Sequence, residues 1–134
     1  MIYLLDTNAC IRYLNGQSET LKFKFQNISP HDIALCSVVK AELLFGAAKS
    51  GRPEENLHKL QLFFDHFISL PFDDQAAEEY AIIRSSLEKA GKPIGPNDLM
   101  IAAIAIANDV TLITHNTKEF SRVKRLVFED WEER

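Results

Sequence analysis

The sequence predicts an α/β fold in which one mainly parallel sheet of about five strands is flanked by helices. Five short apolar runs with strand character are spread over the 134 residues, and they are separated by stretches with helical spacing. No repeat, linker or low-complexity segment interrupts the chain, so residues 1–134 are read as a single domain. Two of the apolar runs end abruptly in polar residues, at Asp6 and at Asn116. That is where a parallel sheet places ligands, beyond the carboxyl ends of its strands.

Taken in order, "IYLL" (2–5) is a strand that runs into "DTN". "ACIRYLNG" is a short helix stopped at Gly16, and "SETLKFKFQNI" is amphipathic with Leu21, Phe25 and Ile28 on one side. "DIALCS" (32–37) is the second strand, with Ser37 expected to cap the helix "VVKAELLFGAAKSG". "PEENLHKLQLFFDHF" has helical spacing at Leu57, Leu60, Phe63, Phe64 and Phe67, and "ISLPF" is the third strand. "DDQAAEEYAIIRSSLEKAG" is a long helix that Gly91 ends. "GKPIGPND" then stops the chain before "LMIAAIAIA", a helix apolar on every side and hence buried on every side. "VTLITHN" (110–116) is the fourth strand, followed by a short helical turn. The tail "RLVFEDWEER" holds a last strand-like piece.

Composition excludes several classes. The chain is 46% hydrophobic and 25% charged with net charge −4, which does not suit a protein that coats nucleic acid. No apolar run reaches the ~18 residues of a membrane span. "MIYLLDTN" is not a signal peptide, so a cytoplasmic location is expected. Cys10 and Cys36 lie in apolar segments and are read as buried free thiols. His31, His58, His66 and His115 lack metal-ligand spacing, although His115 adjoins Asn116 at a strand end. Nucleotide-cradling glycine motifs and the G-x-S-x-G elbow are absent. The basic residues of "NTKEFSRVKR" form a local patch that could meet phosphates or simply face water.

Each polar candidate has two readings. Asp6 is either the N-cap of the first helix or a metal ligand at a strand end. Glu42 is either a solvated helical residue, with Lys49 on the same side, or, among Val38, Val39, Phe45 and Gly46, a carboxylate that needs a partner. Asp98 complements a helix macrodipole, with Asn97 as cap, or faces a cleft. Asn116 and Glu119 form N-x-x-E, close to a capping box, although Asn116 can also hold a water beside a metal. Together, three carboxylates from a strand end, a helix and a helix opening can meet at one sheet edge. Hard oxygen ligands without His or Cys suit Mg²⁺, or Mn²⁺ in its place, and metal-assisted phosphodiester hydrolysis is the chemistry they best support.

"LLDTN", Glu42 in "KAELLFGA", "GKPIGPNDLMIAAIA" and "LITHNTKEF" occur in that order. Together they resemble the PIN domain, and within it the VapC-type toxins of bacterial toxin–antitoxin pairs, over essentially the whole chain. The resemblance implies an α/β/α sandwich and a Mg²⁺-dependent endoribonuclease whose acidic triad is Asp6, Glu42 and Asp98. It implies initiator tRNA, cut in the anticodon stem-loop, as the substrate, leaving a 5′-phosphate and a 3′-hydroxyl. It also implies a homodimer neutralised by a VapB-type antitoxin that binds operator DNA. Many PIN domains carry a fourth acid where this chain has Asn116, with Glu119 one turn on, so one or two metals remain open. Thr7 is expected to support Asp6 or touch phosphate, and Lys118, Arg122 and Arg84 to contact the RNA backbone. Phe63, Phe64 and Phe67, with Phe45, are read either as core or as part of an antitoxin groove or dimer contact. Two other classes are a PIN fold that only binds RNA or protein, and a receiver-like phosphoacceptor using Asp6.

Overall fold

A computed structural model of the chain describes residues 1–133; Arg134, the last residue of the tail, lies outside them. Strand β1 (Tyr3–Leu5) leads into helices α1 (Thr7–Leu14) and α2 (Glu19–Gln26). A 3-10 turn, Pro30–Asp32, enters β2 (Ile33–Cys36), followed by α3 (Ser37–Ala48) and α4 (Pro53–Phe64). Then come β3 (Ile68–Leu70), α5 (Asp74–Lys89), α6 (Pro96–Ala107), β4 (Thr111–Ile113), α7 (Thr117–Phe120) and β5 (Phe128–Glu129).

All five strands are parallel, in the order β3-β2-β1-β4-β5. The α/β sheet flanked by helices is therefore the one the sequence predicts. The chain winds from β1 outward to β3, then returns past β1 to β4 and β5. The direction reverses between β1 and β4, and ligand crevices open at such a switch point. Tyr3, Leu4 and Leu5 pair with Thr111, Leu112 and Ile113, and the Asp6 N–H extends the ladder to the Ile113 carbonyl at 3.0 Å. The strand ends carrying "DTN" and "THN" thus lie side by side.

Burial explains the rigidity of this edge. Every residue of β2 and β4 is buried, as are Leu4 and Leu5. Helix α6 buries Leu99 and the whole run from Ile101 to Ala105, and α5 packs along it. Gly91 stops α5 at φ +69°, a left-handed conformation that a side chain would strain, and the Lys92 N–H closes back on the Leu87 carbonyl at 2.9 Å.

The structure corrects three local expectations. Ser37 does not cap α3; it is the first helical residue, and Cys36 precedes it in an extended conformation without a side-chain cap bond. Gly95, not Asn97, is the N-cap of α6, with Pro96 in the first helical position where its missing N–H is harmless. The phenylalanines do not act as one group either. Phe63, Phe64 and Phe67 pack together and against Tyr13 and Phe25, whereas Phe45 stands apart, 64% exposed, under the Lys49 ammonium. Cys10 and Cys36 are buried free thiols, as expected.

Candidate active site

Asp6 is the N-cap of α1 and stands at the end of the first strand. Its Oδ1 accepts the Ala9 N–H at 2.8 Å. The Thr114 hydroxyl, from the end of β4, also bonds to its carboxylate and accepts the Asn116 N–H at 3.0 Å. Asp6 is only 5% exposed. Burial pushes its pKa up to about 6; the Thr114 and Ala9 bonds oppose the rise, and the charges of Glu132 and Glu42 add to it.

Glu42 is half-buried on α3, and its Oε1 accepts the Thr7 hydroxyl at 2.6 Å. Thr7 therefore supports Glu42 rather than Asp6. Both line an open cleft of about 820 Å³ with Asn8, Val38, Phe45, Asn97 and Met100.

Asp98 lies in the first turn of α6, half-buried. Burial raises its pKa to about 7, reinforced by the charge of Glu119, a hydrogen bond to that same carboxylate, and the charges of Asp6 and Glu42. The two partners of this bond shift in opposite directions. Burial works against ionising Glu119, but the Asn116 amide, the Gly95 N–H, Asp98 and Arg122 outweigh it and hold its pKa below normal.

Glu119 is thus not a capping-box acid. Its Oε1 accepts the Gly95 N–H and its Oε2 the Asn116 Nδ2, each at 3.0 Å, and the Asn116 side chain caps no helix. Arg122 completes the link by donating from Nη1 to the Pro93 carbonyl at 3.0 Å. Together α7 and its flanking residues grip the Gly-Pro turn that presents Asp98.

Four carboxylates from β1, α3, α6 and α7 therefore feel one another's charge at the switch point. Among the described residues no lysine or arginine is hydrogen-bonded to Asp6, Glu42 or Asp98. Hard oxygens from Asp6, Glu42 and Asp98 that raise one another's charge penalty, with no lysine or arginine bonded to them, fit a divalent ion such as Mg²⁺.

The cationic candidates differ. Lys118 is exposed beside Asn116. Arg84 bonds Glu88 at 3.1 Å and Tyr80 at 3.0 Å, and it lines a separate groove with Pro93, Ile94 and Leu99. Sequence reasoning missed Thr114, whose hydroxyl lies within the fourth strand-like run without distinguishing itself. It also missed Arg12, Asp130 and Glu132. Arg12 pairs with Glu132, and His115 Nδ1 lies 2.8 Å from Asp130 Oδ2; only the position of His115 at a strand end drew notice.

A family model described as PIN domain matches residues 3–126. A Rickettsia felis protein named ribonuclease VapC2 is 38% identical over 133 residues, which cover 98% of this chain and 99% of that one. A Shigella flexneri protein named tRNA(fMet)-specific endonuclease VapC is 37% identical over 96% of this chain and 97% of its own. The fold also superposes with a TM-score of 0.90 on a chain in the crystal structure of VapBC2 from Rickettsia felis bound to a promoter DNA fragment. The identity there is 38%, with 98% of this chain and 99% of that one covered.

Proposed function

Since this chain belongs to the PIN-domain family as a ribonuclease of the VapC toxin–antitoxin kind, we propose that it is a Mg²⁺-dependent endoribonuclease that stops translation by cutting initiator tRNA in its anticodon stem-loop. The observation that carries this reading is the convergence of Asp6, Glu42, Asp98 and Glu119 at the crevice between β1 and β4. The tRNA reading leans on the Shigella relative, which is named for that substrate.

Asp6 and Asp98 are the groups that would hold Mg²⁺, with Glu42 reaching it directly or through a water. A bound Mg²⁺ supplies an activated water at neutral pH and offsets the charge that develops on the phosphate. The chain does the positioning. Thr7 takes one oxygen of Glu42 and leaves the other free. Asn116 gives its amide nitrogen to Glu119, so its carbonyl oxygen remains to orient a water. Thr114 and the α1 N-terminus fix the Asp6 carboxylate. Lys118 faces the incoming backbone, and the products are a 5′-phosphate and a 3′-hydroxyl. The chain acts in the cytoplasm; no helix among the described residues is long and apolar enough to cross a membrane. Its partners are a VapB-type antitoxin that also binds operator DNA, and a second copy of itself in a homodimer.

Incubating the purified chain with total tRNA, with Mg²⁺ or with EDTA, and sequencing the new ends tests this directly. Cleavage confined to the initiator anticodon stem-loop, dependent on Mg²⁺ and absent in Asp98→Asn, is expected. Intact RNA under every metal condition would reduce the chain to a binding module.

A further inference from the structure

We propose that Arg12 and His115 form a phosphate-contacting pair on the rim of the crevice, held in place by Glu132 and Asp130 of the C-terminal tail. The inference rests on the ribonuclease reading and adds to it a pair of RNA contacts supplied by α1 and β4.

The pair is built rather than incidental. The Glu132 and Asp130 side chains are only 6% and 10% exposed, whereas Arg12 and His115 are 41% and 60% exposed. Two nearly buried carboxylates therefore anchor a guanidinium and an imidazole that are largely exposed. The tail that carries them is itself fixed. Trp131 is 3% exposed with its ring centroid 5.2 Å from that of Tyr3, and its Nε1 donates to Glu129 at 3.2 Å. The Glu132 N–H closes on Asp130 Oδ1 at 2.9 Å. Arg12 uses Nε on Glu132, which leaves its terminal guanidinium nitrogens as donors, and His115 uses Nδ1 on Asp130, which leaves Nε2 unused, a donor when the ring is protonated. Asp130 also raises the His115 pKa, which favours the cationic ring.

Position supplies the second argument. His115 directly follows Thr114, whose hydroxyl bonds Asp6, and the Glu132 charge acts on Asp6 itself. The pair therefore flanks the carboxylates at the strand edge. Arg122, by contrast, is tied to Pro93, and Arg84 to its own helix. One nitrogen of His115 and one oxygen each of Asp130 and Glu132 lie within 4.8 Å of one another, a spacing a metal could use. But Glu132 is already paired with Arg12, and Asp130 with His115.

The test uses an Asp98→Asn background, which holds RNA uncut, and measures the affinity of an anticodon stem-loop RNA across KCl concentrations. His115→Gln and Arg12→Gln should each weaken binding several-fold and flatten the plot of log K against log salt by about 0.7–0.9, one phosphate contact apiece. Arg12→Lys should keep the slope. Because Arg12→Gln strands a buried carboxylate, the double change Arg12→Gln/Glu132→Gln repeats the measurement without that unpaired charge. Unchanged slopes in His115→Gln and the double variant overturn the pair. So does a divalent-ion binding event lost in His115→Gln while the slopes stay put, which would make the cluster a metal site. Failure of the unmutated chain to cut any RNA is a different result, and it overturns the ribonuclease reading instead.

Discussion

Asp6 and Asp98 share one crevice and one charge, but the fold restrains them by opposite means. Asp6 is held by donors: the Ala9 N–H and the Thr114 hydroxyl both point at its carboxylate. Asp98 is held by another acid, with Glu119 bonded to it and Arg122 gripping the turn before it. Burial raises the pKa of both, to about 6 and about 7. Donors lower the charge penalty at Asp6, while a like charge adds to it at Asp98. On the proposed mechanism one carboxylate serves structure and chemistry together, and the other carries an unfavourable charge until a cation offsets it.

The comparison breaks most visibly under substitution. Asp6→Ala and Asp98→Asn should each reduce Mg²⁺-dependent RNA cleavage by roughly 10³-fold or more, about 4 kcal/mol of transition-state stabilisation. Their stabilities should part company. Asp6→Ala removes a helix cap and strands the Thr114 hydroxyl, a loss of about 1–2 kcal/mol in chemical denaturation. Asp98→Asn removes a repulsion and should leave the midpoint unchanged or higher. Equal stability losses would erase the distinction.

Next in size is the pH dependence. Both folded-state pKa values lie above the ordinary 3.8, so the folded chain binds these protons more tightly than the unfolded chain does. Their contribution is full below about pH 4 and is lost as pH rises through about 6 and 7. For Asp6 alone a rise of about 2 units corresponds to at most ~3 kcal/mol. Metal-free protein should therefore melt at a lower temperature at pH 8 than at pH 5, and saturating Mg²⁺ should recover the difference mainly at pH 8. A metal-free midpoint that climbs from pH 5 to 8 would contradict the unfavourable-charge account.

Thr114→Val isolates the donor side. It should cost about 1–2 kcal/mol and shift the acidic limb of the rate profile to higher pH, because Asp6 loses a bond that lowers its pKa. The smallest effect is at Arg122. Arg122→Ala should lower kcat a few-fold with KM and salt dependence unchanged, the pattern of a positioning residue. A raised KM with a flatter salt slope would restore it to the phosphate contact the sequence suggested.

What the sequence made legible follows from range. Asp6 stood out because an apolar strand ends on it, and Asp98 because a Gly-Pro turn precedes a wholly apolar helix; both signals are local. The parallel sheet was likewise readable from alternating elements. Contacts closed over long separations were not. The Glu119 bond to Gly95 spans 24 residues and the Arg12–Glu132 pair spans 120, and no spacing rule anticipates either. Glu119 looked like a capping acid because N-x-x-E fits that motif, yet one of its oxygens takes the distant Gly95 N–H and the other the Asn116 side chain rather than a backbone N–H. Ser37 looked like a cap because serine favours that position, but the extended residue before α3 is Cys36.

Asp6 spends every polar group it has on the fold. Its N–H extends the sheet to Ile113, its carbonyl accepts from Cys10, and its side chain caps α1. Cells that escape the toxin by mutating this position should accumulate little of the chain, because a less stable fold is open more often to proteases. On the proposed function, escape at Asp98 should instead leave an abundant, inert protein that still titrates antitoxin away from any active copies. Two lesions in one catalytic set would then have opposite consequences for neighbouring wild-type toxin, one silent and one derepressing.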